Sequence, residues 1–175
     1  PRMSPMGKML WDHMQAVDVL CETKHVDSAR VGVVGHGFGG VNALMLAAFD
    51  ERIQACVASC AFTRFADDPH PERWVRNGEF ACLPKLADAV KTGKFPFDWE
   101  HILALAAPSP VLLLTARKDA RLPNTRSCEK AVRLARRIYE PLGEPDALQI
   151  CVHDEGSTLT PRLLQLAAEW FERWL

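Results

Sequence analysis

Three groupings of residues in this 175-residue chain could do chemistry. The first is Gly35-His36-Gly37-Phe38-Gly39, which follows the short apolar run Val31-Gly32-Val33-Val34 and precedes a run of strong helix formers. That is the spacing of a G-x-S-x-G turn, a sharp strand-to-helix elbow that holds a nucleophile in a strained backbone conformation. Here the central position is Gly37, which has no side chain to attack with. A dinucleotide-binding turn is a competing reading of Gly35-x-Gly37-x-Gly39-Gly40, but its glycine spacing differs from G-x-G-x-x-G. That reading also wants an acidic residue closing the next strand, where Ser59-Cys60 stand. The second grouping is Cys60 with His36 and His153, a thiol with imidazoles if all three met at one sheet end. The reading favoured for Cys60 is a small buried hydrophobe, and for His36 a neighbour packing under the turn. The third is Cys151, His153 and Asp154; alternation along a strand puts the first two on one side and the third on the other, which disfavours a metal site.

Such groups need a frame. Leu10, Met14, Val17, Leu20 and Cys21 recur at helical spacing and predict an amphipathic helix over 8–24. Val31 to Val34 reads as a strand buried on both faces of a parallel sheet, with Val41 to Phe49 as the helix after the turn. Ile53 to Ser59, Val111 to Thr115 and Ala147 to Val152 read as further strands, and Ser127 to Tyr139 and Pro161 to Leu175 as helices. Between the second and third strands, an irregular excursion at about 61–107 carries Pro69, Pro71, Gly78, Pro84, Gly93 and Pro96 and is expected to cover the sheet ends. Strands alternating with helices predict one α/β domain, a parallel sheet between two helical layers. Arg133, Arg136 and Arg137 read as a solvated helix face.

Composition narrows the partners. A hydrophobic fraction of 48% supports a packed core without staples. A formal charge of -1 supplies no basic excess for nucleic acid or an anionic membrane. No apolar run reaches the roughly 18 residues of a membrane helix, and Pro1-Arg2-Met3-Ser4 does not resemble a signal sequence. The six cysteines are scattered without CxxC spacing and read as thiols in a reducing compartment, so a cytoplasmic location is expected.

Several stretches carry a family resemblance: Trp11-Asp12-His13-Met14-Gln15-Ala16-Val17-Asp18, the turn Gly35 to Gly40, Phe97-Asp98-Trp99, Ala107-Pro108-Ser109-Pro110, Ala116-Arg117-Lys118-Asp119 and His153-Asp154-Glu155-Gly156-Ser157. On these the chain resembles bacterial α/β-hydrolases of the dienelactone hydrolase and acetyl xylan esterase type. The resemblance implies the three-layer α/β-hydrolase fold, truncated to its C-terminal strands and helices. It implies Asp119 as the acid of a catalytic triad, with Pro123-Asn124 just beyond, and puts Ser157 where the histidine would stand. His153 matches the first, non-catalytic histidine of that pattern. The Phe38 amide would be one oxyanion donor; the other generally comes from strands upstream of the first helix. With those strands absent, Val31 to Val34 would lie at a sheet edge, to be covered by a second copy in a homodimer or by another chain. The implied activity is carboxylic ester hydrolysis without a cofactor. With Gly37 and Ser157 vestigial, the expectation is a pseudo-hydrolase with a binding or assembly role; the alternative is an esterase in truncated or inactivated form.

Overall fold

The computed structural model describes residues 3–76, 78, 80–122 and 125–175, so Pro1-Arg2 and the Pro123-Asn124 pair lie outside the described residues. The chain opens with α1 (Pro5–Glu22), three residues earlier than the apolar spacing predicts. Ser4 is the reason: its Oγ accepts the Gly7 N–H at 3.1 Å, and Pro5 follows at a first-turn position that needs no amide donor. Then come β1 (Val31–His36), α2 (Phe38–Phe49) and β2 (Ile53–Ser59). The excursion holds short helices α3 (Glu72–Val75), α4 (Ala87–Thr92) and α5 (Trp99–Leu105). The chain closes with β3 (Val111–Ala116), α6 (Thr125–Tyr139), β4 (Leu148–His153) and α7 (Pro161–Trp174).

All four strands run parallel in the order β1-β2-β3-β4. Strand alternation sorts β2 and β3 into two cores. Ala55, Val57, Leu112 and Leu114 face Leu163, Ala167 and Trp170 of α7. Cys56, Ala58, Val111 and Leu113 face the larger core built with α2, α5 and α6 around Leu44, Trp99 and Tyr139. The sheet is thus sandwiched between two helical layers, as the α/β pattern requires. β1 departs from the expected two-sided burial. It is the end strand of the sheet, Val34 is 49% exposed, and Gly32 fits against the Phe171 ring because a Cβ there would come within 2.7 Å of it.

The excursion is less irregular than its prolines suggest, because one carboxylate organises it. Asp98 is buried; its Oδ1 accepts the Phe65 and Trp99 amides at 2.8 Å each and its Oδ2 the Ala66 amide at 3.0 Å. The His101 ring accepts the Asp98 N–H at 3.0 Å, completing a reciprocal cap that starts α5. Burial pushes the Asp98 carboxyl above its ordinary value, against the three amides and Arg64. Arg64 is itself buried, grips both Glu100 oxygens at 2.7 Å and bonds Asp67 at 2.6 Å. Ser127 of α6 accepts the Arg64 amide at 2.9 Å, so the network fastens the excursion to a core helix. Phe65 and Trp99 then pack with Phe62 and Trp74 as an aromatic cluster at centroid distances of 4.8–5.6 Å. Among the described residues no helix is long and apolar enough to cross a membrane.

Replacing Asp98 by Ala strands three amides and removes one carboxylate from beside Arg64, so Asp98→Ala should lower unfolding free energy by about 3–5 kcal/mol. Urea denaturation checks this; a loss below about 1 kcal/mol would show that the excursion does not hang from this residue.

Candidate functional site

The elbow is built by crowding. β1 must turn into α2 almost on the spot, and the backbones of the two elements nearly touch. A Cβ on Gly35 would stand 2.1 Å from the Gly39 carbonyl oxygen, and one on Gly40 would stand 2.9 Å from the Ala61 Cβ. Gly39, expected to be a required small position, has open space where its Cβ would go; the turn needs its backbone, not its lack of a side chain. Gly37 itself adopts φ 57° and ψ -123°, a conformation that L side chains seldom take, and nothing lies within 4 Å of where its Cβ would project. Its N–H donates to the Ser59 carbonyl at 2.8 Å and its carbonyl accepts the Val41 N–H at 3.2 Å, so β2 and the first turn of α2 both hold the apex. The helix therefore begins at Phe38, three residues before the run of helix formers suggests. His36 Nδ1 pairs with Ser59 Oγ at 3.0 Å, joining the ends of β1 and β2.

At the C-terminal ends of the strands, above this turn, opens a cleft of about 970 Å³. Gly37, Phe38, Asp119 and Ser157 all line it, so the structure brings together every site residue expected from the sequence. Asp119, only 3% exposed, follows β3; its Oδ1 accepts the Arg121 and Leu122 amides at 2.7 and 3.1 Å. Ser157 sits in the loop after β4, which Glu155 ties to the start of α7 through Thr160 and Arg162.

Two groups weighed as alternatives behave as packing residues. Cys60 lines the cleft at φ 48°, but burial raises its thiol pKa above the ordinary value, with opposing help from the Ala116 backbone and the Ser59 and Ser157 hydroxyls. His153 is buried at the end of β4 and is not among the residues that line the cleft; its Nδ1 accepts the Glu155 N–H at 3.3 Å and its buried Nε2 has no partner among the described residues. Desolvation lowers the His153 pKa against the nearby Glu155 carboxylate, which favours the neutral form of the ring. Among the described residues, no three His, Cys, Asp or Glu side chains converge as a metal-holding group.

The remaining wall comes from the excursion, where sequence reasoning named no site residue. Arg73, Trp74 and Phe80 line the cleft, and Arg121 joins them from the loop after β3. Asp68 positions two of them, accepting Trp74 Nε1 at 2.7 Å and Arg73 Nη2 at 2.8 Å, while Arg73 also bonds the Arg121 carbonyl. Phe80 meets Phe38 edge to face at 5.4 Å. The sequence offers one signal for this wall, a tryptophan among charges and prolines, and no periodicity that says where it points.

A glycine elbow feeding a helix, at the strand ends of a parallel sheet with helices on both faces, defines the α/β-hydrolase fold. The chain belongs to the prolyl oligopeptidase family, which matches residues 6–156. It is 27% identical over 169 residues to YtaP of Bacillus subtilis (strain 168), a protein named as a hydrolase, covering 97% of this chain and 54% of that one. Among solved structures it superposes on a glucuronoyl esterase from Solibacter usitatus with a TM-score of 0.80 at 20% identity, covering 93% of this chain and 47% of that one. A glucuronoyl esterase from Teredinibacter turnerae T7901 gives 0.78 at 21%, with 95% and 46% covered. The chain thus spans about half the length of these relatives. The expected superfamily is the observed one, and the family within it is that of prolyl oligopeptidase.

The crowding at the elbow predicts opposite outcomes for two similar changes. Gly35→Ala should cost at least about 3 kcal/mol, because backbone must move. Gly39→Ala, in open space within a helix, should be neutral or stabilise by about 0.5–1 kcal/mol. Thermal or chemical denaturation of both variants checks the pair; equal losses would contradict the stated geometry.

Proposed function

We propose that this domain is a catalytically impaired relative of ester-hydrolysing α/β-hydrolases, and that its cleft binds a ligand without turning it over. The observation that carries the reading is Gly37: the apex of the elbow points into a cleft with nothing on it that can form an acyl intermediate. Nucleophilic catalysis needs a hydroxyl or thiol, and a base that takes its proton and returns it to the leaving group. In our reading Ser157 occupies the base's position, and a serine cannot serve as an imidazole does. Cys60 is a poor substitute nucleophile, since burial disfavours its thiolate. Loss of a full triad in a serine protease costs about a millionfold in turnover. What persists is a cleft with aromatic walls, a buried carboxylate and the start of α2, all of them binding features.

One observation favours the second reading, a carboxylic ester hydrolase whose reacting groups have been replaced without remodelling the site. The positive φ of Gly37 is kept although no side chain needs presenting, and a side chain there would meet open space. Both readings place ester turnover outside the reach of the chain with glycine at the apex.

Purified protein should hydrolyse short acyl esters of p-nitrophenol no faster than a buffer blank. Gly37→Ser, which puts a hydroxyl at the apex, should not by itself bring turnover while Ser157 stands in the base's position. Robust, saturable turnover by the unmodified chain would sink the proposal.

A further inference from the structure

His153 closes β4 and starts the loop that carries Ser157 to the cleft. The ring is 3% exposed, and its Nδ1 accepts the Glu155 N–H at 3.3 Å, so the ring proton sits on Nε2. That Nε2 is buried and has no partner among the described residues. The closed loop therefore requires a neutral ring for two reasons. A second proton would turn Nδ1 from an acceptor into a donor facing the Glu155 N–H, and it would put a charge on a ring whose Nε2 has nothing to bond. The surroundings divide over that charge. Burial opposes it most strongly, the carboxylates of Glu155 and Asp154 in the loop and of Asp119 after β3 favour it, and Arg162 of α7 opposes it. Glu155 and Asp154 are already engaged, the first with Thr160 and Arg162, the second with Arg117 at 3.1 Å.

We propose that His153 is a pH-sensitive latch on this loop: the neutral ring holds it through the Glu155 amide, and protonation breaks that bond and frees residues 154–160, the Ser157 wall of the cleft included. The step is the transfer of one proton from solvent to Nδ1, at the cost of one hydrogen bond. Gly156, at φ 67° with open space where its Cβ would go, gives the released loop a place to turn. Both ends stay tied: the Arg117 N–H donates to the His153 carbonyl at 2.8 Å, and Thr160 caps α7 by accepting the Leu163 N–H at 3.4 Å. Because the folded ring takes its proton at a lower pH than an ordinary histidine, the closed loop loses stability as pH falls through about 6.5 and stops losing it below the folded-state pKa. The latch acts on the cleft wall alone and stands whether or not the cleft turns a ligand over.

Amide hydrogen exchange followed by NMR between about pH 7.5 and about pH 5.5, corrected for the intrinsic exchange rate, reads the latch at the Glu155 amide. Protection there should fall with pH, by up to about tenfold per pH unit below about 6.5, while the Val57 and Leu113 amides in the central strands keep theirs. The His153 ring signal should titrate with a midpoint below about 6.5. His153→Asn, whose side-chain oxygen can accept the Glu155 N–H but takes no proton in this range, should hold Glu155 protection constant. Unchanged Glu155 protection in the parent chain, an equal fall in His153→Asn, or loss of protection at Val57 and Leu113 in step with Glu155 would each overturn the latch. A ring midpoint at or above about 6.5 would overturn it without recourse to the variant. None of these results bears on ester turnover, which tests the proposed function separately.

Discussion

The close approach of Gly35 to the Gly39–Gly40 backbone is the contact on which the rest of this structure depends. It lets β1 reverse into α2 within a single residue, and that residue, Gly37, takes the strain. Two amide–carbonyl bonds, to Ser59 and from Val41, then fix the apex relative to β2 and α2. Because both bonds are made by backbone groups, the position of the apex does not depend on what side chain it carries. A glycine at the apex relieves the strain, since positive φ is easy for it. The elbow therefore needs no side chain at its apex, and here Gly37 stands there without one.

Function and fold separate along the same line. The cleft is shaped by the turn, the Asp119 loop closed by two of its own amides, and the excursion suspended from Asp98 and Arg64. On the proposed reading, Gly37 and Ser157 stand at the positions that would transfer protons and bonds. Binding asks only for shape, apolar walls and a few placed polar groups, whereas catalysis asks for a nucleophile and base in register. A site can lose the second and retain the first. The sheet shows a related division. β2 and β3 are buried on both faces by the two helical layers, while β1, which carries the elbow, is an end strand with Val34 half exposed.

Much of this was legible in the sequence, for reasons that differ by element. β2 and β3 could be read because runs such as Ile53 to Ser59 and Val111 to Thr115 are apolar throughout, which two-sided burial demands. Boundaries shifted where local chemistry overrode periodicity: Ser4 and Pro5 start α1 early, and the elbow starts α2 at Phe38 although Gly39 and Gly40 are poor helix formers. Gly37, Phe38, Asp119 and Ser157 could be placed because they stand in motifs at fixed offsets from strand ends. Arg73, Trp74, Phe80 and Arg121 could not. Their positions follow from Asp68 and Asp98, whose partners are amides and side chains brought near by folding, and hydrogen bonds of that kind leave no period in the sequence.

The central claim is that the elbow presents no nucleophile to the cleft. Treatment with a fluorophosphonate, which phosphonylates activated hydroxyls, followed by intact-mass measurement tests it most directly. The account predicts an unchanged mass under conditions that fully label a serine hydrolase. Stoichiometric addition of one phosphonyl group, mapped to a cleft residue such as Ser157 or Cys60, would contradict it.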